Sequence, residues 1–121
     1  MFEVTVQKEF NSAHNLRGYQ GKCEDLHGHN WRVELTLASK ELDNIGVVVD
    51  FKNIREYINE VIKDLDHKYL NEIEHFKEVN PTSENIAKYI FDEVLKNHPE
   101  ICVKKVTVWE TGSSSATYYV G

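Results

Sequence analysis

The 121-residue sequence predicts an α+β fold in the order ββααββ, a four-stranded antiparallel sheet with two helices on one face. Three features predict it. Two long segments near the N-terminus alternate apolar and polar residues. Two central segments repeat apolar residues at helical spacing, and two shorter alternating segments close the chain.

The first strand covers residues 2–14. Phe2, Val4, Val6, Phe10 and His14 share one face, and Glu3, Thr5, Gln7 and Glu9 take the other. Lys8 interrupts the apolar side. Residues 27–37 alternate more cleanly, with His27, His29, Trp31, Val33, Leu35 and Leu37 against Asn30, Arg32, Glu34 and Thr36. Asp50 is placed to cap a helix, and Phe51, Ile54, Tyr57, Ile58, Val61, Ile62 and Leu65 then recur every three or four residues. A second helix is expected from Thr82 or Ser83, just after Pro81. Glu84 falls in its first turn, where a negative charge suits the helix dipole, and Ile86, Ile90 and Val94 form its apolar side. In the last two strands Val106, Val108 and Glu110 share a face, as do Ala116, Tyr118 and Val120.

Length and composition fit one domain spanning residues 1–121, large enough to bury a core without disulfide staples. The net charge of −6 argues against nucleic-acid and membrane-surface partners, whose footprint is a basic face. An anionic small ligand stays open, because a pocket can be positive on an acidic protein. Two cysteines are too few for a secreted disulfide framework. With no apolar run of membrane-spanning length and early charges in MFEVTVQKEF, a cytoplasmic setting is expected.

The chemistry begins at His27-Gly28-His29. Residues i and i+2 of a strand point the same way, about 6–7 Å apart at Cα, so two imidazoles so placed can converge on one cation. A bare His-x-His is weak, since strand-end histidines also bond to backbone. His14 strengthens it: it ends the first strand on the apolar parity as His27 and His29 begin the second. Antiparallel pairing would gather all three at one end of the sheet, as in a catalytic zinc site with an open fourth position. Cys23 is close enough in sequence to be considered as a fourth ligand. Otherwise it is an incidental loop thiol or, beside the cation Lys22, a reactive thiolate. Asp66-His67 after the first helix reads either as a polar helix end or as a carboxylate orienting an imidazole for proton transfer. Glu110 is a carboxylate on an apolar parity, which calls for a partner, either a cation of the fold or a guanidine-like ligand edge. His75 and His98 read as surface residues, and Cys102 as packing.

Taken together, these residues resemble the 6-pyruvoyltetrahydropterin synthase family, and within it the 6-carboxytetrahydropterin synthases of queuosine (7-deazaguanine) biosynthesis. Six segments carry the resemblance, in order over nearly the whole chain: Phe10-Asn11-Ser12-Ala13-His14, the run from Cys23 to Trp31, Gly46 to Phe51, Leu65 to Asn71, Asn80 to Ala87, and Trp109-Glu110-Thr111.

The resemblance implies that His14, His27 and His29 bind Zn2+, that Cys23 is the general base, and that Asp66 and His67 are its proton-transfer partners. It implies that Glu110 holds the amino-pyrimidine edge of a pterin in a pocket lined by Thr82 and Ser83. The implied architecture is the tunnelling fold, in which subunit sheets join edge to edge into a barrel. A homo-oligomer follows, a trimer or a hexamer of two stacked trimers. The implied substrate is 7,8-dihydroneopterin triphosphate, with Arg17, Lys22 and Arg32 as candidates for its phosphates. Carboxy synthases release triphosphate and acetaldehyde, whereas pyruvoyl synthases keep the side chain. Three residues separate Cys23 from His27, as in the carboxy synthases. The alternative from a different class is a non-catalytic metal-binding protein.

Overall fold

A computed structural model describes all 121 residues. β1 (Phe2–His14) and β2 (His27–Ser39) are followed by α1 (Phe51–Ile62), α2 (Ser83–Asn97), β3 (Val103–Thr111) and β4 (Ser114–Tyr118). The sheet order is β1-β2-β3-β4, antiparallel throughout. This is the ββααββ architecture expected from periodicity. No helix is long and apolar enough to cross a membrane.

The caps lie where the sequence places them. The Asp50 carboxylate accepts the Lys52 N–H at 2.9 Å, and the Thr82 hydroxyl accepts the Asn85 N–H at 3.1 Å. Such a side-chain cap stabilises a helix by about 1 kcal/mol. The apolar spacing after Asp50 outlasts the helix. α1 stops at Ile62, and Leu65 is buried from the turns that follow. Two short 3-10 turns, Leu70–Glu72 and Glu74–Lys77, seat Leu70 and Phe76 in the core; nothing in the periodicity announces turns this short.

The core lies between the helices and one face of the sheet. Val6, Phe10, Trp31, Val33, Leu35, Val106 and Val108 meet Ile54, Ile58 and Val61 of α1 and Ile86, Ile90 and Val94 of α2. The other sheet face is polar. Thr5 pairs with Thr36 and Thr107 with Thr117, each hydroxyl to hydroxyl at 2.7 Å, and Glu34 accepts from Gln7 at 3.1 Å and from the Trp109 indole at 3.2 Å. Two surface assignments change with the fold. Cys102, expected to pack, is exposed just before β3. His98 is half-buried, its ring tilted 36° against Tyr57 at 4.0 Å and its Nε2 3.0 Å from Glu60.

The outer edge of β1 is not bare at its His14 end. The His67 N–H donates to the Asn11 carbonyl at 2.6 Å, and the Ala13 N–H donates to Lys68 at 3.0 Å. Ser12, buried among apolar neighbours, donates to the Leu65 carbonyl and accepts the Lys68 N–H. The segment after α1 is thereby held against the strand end that bears His14.

Candidate metal and ligand site

The register sets three imidazoles together. His14 lies directly across from His27, and His29 is opposite Ser12, two residues further along β2. All three point to the helix side, where Trp31 forms a floor beneath them. Its ring lies 4.8 Å from His14 and 5.3 Å from His29, centroid to centroid, and its indole N–H donates to the Ser12 carbonyl at 3.1 Å.

Backbone carbonyls determine which nitrogen each ring presents. The Nδ1 of His14 lies 2.8 Å from the Pro81 carbonyl, and the Nδ1 of His27 lies 2.8 Å from the Asp25 carbonyl. A carbonyl only accepts, so each Nδ1 carries the proton and each Nε2 offers a lone pair. Those two Nε2 atoms are 3.0 Å apart. Neither can donate to the other, and a lone pair facing a lone pair is repulsive. His29 Nε2 is buried with no hydrogen-bond partner. Both features are resolved by one cation between the rings. Burial holds His14 below the ordinary imidazole value; His27 and His29 push the same way, against the Pro81 hydrogen bond and the Glu110 charge. A neutral, carbonyl-oriented imidazole is the form that binds a metal.

Glu110 joins this group. Its carboxylate reaches within 3.4 Å of His29 Nε2 and 3.9 Å of His14 Nε2. The ligand atoms of His14, His27, His29 and Glu110 all lie within 4.8 Å of one another. In tetrahedral zinc geometry, with bonds of about 2.0–2.1 Å, neighbouring ligand atoms are roughly 3.3 Å apart. The donor set therefore fits a divalent metal of that class. The β3–β4 ladder is irregular between Trp109 and Thr111, and Glu110 is the residue skipped. Such a bulge re-aims a side chain relative to a regular strand.

Beside the cluster is a cleft of about 420 Å³, lined by Glu9, His29, Arg32, Trp109 and Glu110 among others. That volume is within the range of small-ligand sites. Two larger hollows lie elsewhere, one between α1 and α2 and one beside Phe2 and Phe51, and neither contains any of the three clustered histidines. Thr82 and Ser83 follow Pro81, whose carbonyl orients His14, and neither lines this cleft; the Thr82 hydroxyl caps α2.

Asp66 and His67 form a second group, on the outer side of β1. Asp66 accepts the Asn11 N–H at 2.9 Å and lies 3.0 Å from His67 Nδ1. The Asn11 hydrogen bond, aided by His67, holds the Asp66 carboxyl below its usual range. His67 adopts a left-handed backbone (φ 55°), an uncommon conformation for a non-glycine residue, and its side chain is 78% exposed. Cys23 is exposed in the connection between β1 and β2 and is not part of the four-residue cluster.

That connection is tightly held. Asn15 and Asn71 exchange hydrogen bonds, the Tyr69 hydroxyl donates to Asn15 at 2.6 Å, and Asn80 binds the Arg17 backbone on both sides. Arg17 directs its guanidinium to the Phe76 and Val79 carbonyls at 2.5 and 3.0 Å, so it straps the loop down. Arg32 lies over the Trp109 ring at 4.6 Å. Sequence reasoning missed the orienting carbonyls of Pro81 and Asp25 altogether. It also passed over Ser12, although a polar residue on the parity of Phe10 and His14 is a signal of its own.

Comparison with known proteins finds relatives over nearly the whole chain. The family profile described as 6-pyruvoyl tetrahydropterin synthase matches residues 3–120. A 6-carboxy-5,6,7,8-tetrahydropterin synthase of Synechocystis is 35% identical over 98% of this chain and 94% of its own. The human 6-pyruvoyl tetrahydrobiopterin synthase is 34% identical over 92% of this chain and 79% of its own. Among solved structures, the Caenorhabditis elegans 6-pyruvoyl tetrahydropterin synthase superposes with a TM-score of 0.83 at 28% identity, covering 100% of this chain and 98% of that one.

Proposed function

Because this chain belongs to the 6-pyruvoyl tetrahydropterin synthase family, we propose that it is a zinc-dependent 6-carboxytetrahydropterin synthase. With one water consumed, it converts 7,8-dihydroneopterin triphosphate to 6-carboxy-5,6,7,8-tetrahydropterin, releasing triphosphate and acetaldehyde, in queuosine biosynthesis. The observation that supports this reading above all is the convergence of three imidazoles beside a ligand-sized cleft, with the Nε2 lone pairs of His14 and His27 facing each other and His29 Nε2 buried without a partner.

His14, His27 and His29 hold the metal. A bound zinc supplies Lewis acidity, polarising side-chain oxygens of the substrate and acidifying the adjacent C–H bonds. Glu110 receives the amino-pyrimidine edge, with Thr82 and Ser83 beside it. Cys23 takes a proton from the side-chain carbon next to the ring. His67 carries protons, and Asp66, itself anchored by the Asn11 N–H, keeps that imidazole oriented through Nδ1.

The test is incubation of the zinc-loaded protein with dihydroneopterin triphosphate, with products identified by mass spectrometry. The expected products are 6-carboxytetrahydropterin, acetaldehyde and triphosphate. A 6-pyruvoyl product would establish the second reading, which the human relative favours at nearly the same identity as the Synechocystis one. Absence of turnover would leave a metal-binding protein. Between the two synthases, the three-residue separation of Cys23 from His27 supports the carboxy product.

Assembly belongs to the same reading. Along most of its length β1 has an unpaired outer edge, β4 has another, and the sheet face between them is polar. Long open edges invite pairing, and closure into a barrel removes them. Light scattering at micromolar concentration should therefore show a trimer or larger. A stable, active monomer would contradict it.

A further inference from the structure

This inference rests on the general-base role proposed above for Cys23. Cys23 is exposed, and none of the hydrogen bonds of the β1–β2 connection is its own. Lys22, on one side of it, bonds to Tyr19 of the same loop. Glu24, on the other side, is bonded three times to the chain just past β1. The Glu24 N–H donates to the Leu16 carbonyl at 2.8 Å, its carboxylate accepts the Leu16 N–H at 3.3 Å, and its carbonyl accepts from the Asn15 amide at 3.1 Å. Asn15 is itself fixed from the far side. The Asn71 side chain, only 7% exposed, bonds both the N–H and the carbonyl of Asn15, at 3.0 and 2.7 Å, as a neighbouring strand would. The Tyr69 hydroxyl donates to Asn15 Oδ1 at 2.6 Å, which leaves Nδ2 as the group that faces Glu24.

We propose that Asn15 is a positioning residue for the reaction: it carries the fixed placement of Tyr69 and Asn71 across to Glu24, and so holds the Cys23 thiol where the substrate proton is taken. The outgoing limb of the loop is strapped down at Arg17. On the return limb the tie nearest to Cys23 is Glu24, and Asn15 supplies its side-chain anchor. A base must lie within hydrogen-bond reach of the proton it takes, and a misplacement of about 1 Å can cost roughly 100-fold in rate. The Asn15 side chain bonds to Tyr69 and Glu24 and to none of His14, His27 and His29, so its effect on catalysis is separable from metal binding.

Asn15→Asp is the test. It keeps the acceptor for Tyr69 and replaces the donor to Glu24 by an oxygen, which repels the carbonyl. Compared at equal zinc content and equal circular dichroism, the variant should show a kcat for dihydroneopterin triphosphate about 10- to 100-fold lower, with KM little changed, because Asn15 binds no substrate. A purely structural role would lower the melting temperature and leave kcat per folded chain alone. The second readout needs no activity. In native-state hydrogen exchange the Glu24 amide, protected by Leu16, should exchange roughly five- to tenfold faster in the variant, the scale of one lost hydrogen bond. Asn15→Ser, too short to join Tyr69 to Glu24, should behave alike and serves if the aspartate variant does not fold. Unchanged kcat, or a loss confined to KM, would overturn the proposal, as would unchanged exchange at Glu24. If the unaltered protein turns over no dihydroneopterin triphosphate, the functional reading fails and the catalytic half of this proposal with it, whereas faster exchange in the variant still establishes the tether.

Discussion

Cys23→Ala is expected to lose about 10²–10⁴-fold in turnover, the usual contribution of a positioned acid or base, while keeping its metal. Beyond an incidental loop thiol, Cys23 had two readings: the general base that the family resemblance implies, and a fourth zinc ligand, which its closeness to His27 in sequence left open. The four groups that converge are His14, His27, His29 and Glu110, without Cys23. Removing an exposed thiol should therefore leave the zinc content unchanged. The fold should also survive, because the connection that bears Cys23 is held by Asn15, Arg17 and Glu24 through hydrogen bonds the thiol does not make. Zinc and rate measured on the same sample decide the matter. Zinc retained with activity lost supports the base. Zinc lost along with activity makes Cys23 a ligand, and near-wild-type turnover rules out both roles.

His27→Ala is expected to drop bound zinc well below one per chain and to abolish turnover with it. The choice of His27 over His14 is physical. His14 is only 1% exposed, packed on Trp31 and bonded to Pro81, so truncating it opens a cavity and leaves a buried carbonyl unpaired. His27 is partly exposed at the start of β2, and its orienting carbonyl, from Asp25, belongs to an exposed residue. Its removal deprives the site of a donor without hollowing the core. Metal content by atomic emission and a thermal melt on the same preparation separate ligand loss from unfolding. Full zinc retention with intact activity would refute the assignment.

The sequence by itself determined the elements and the parities. Strand alternation placed His14, His27 and His29 on the core side of β1 and β2, and antiparallel neighbours had to bring them to one end. Asp50 and Thr82 marked helix starts by local cap chemistry. These are short-range patterns, decided by periods of 2 and 3.6 residues and by hydrogen bonds within a few positions.

What the tertiary structure decided acts across the chain. Pro81 orients His14 from 67 positions away, and Asp66 binds Asn11 from 55. No periodicity encodes a carbonyl's direction, because it depends on how α2 and the segment after α1 dock on the sheet. Glu110 was legible as an inward carboxylate, but its partners were not; register and a bulge made them histidines. Arg17 looked free to bind an anion until the fold brought two carbonyls to it. Cys102 and His98 were misjudged for the same reason. Whether a residue beside a strand or helix end is covered depends on what packs over that end, and local sequence does not specify it.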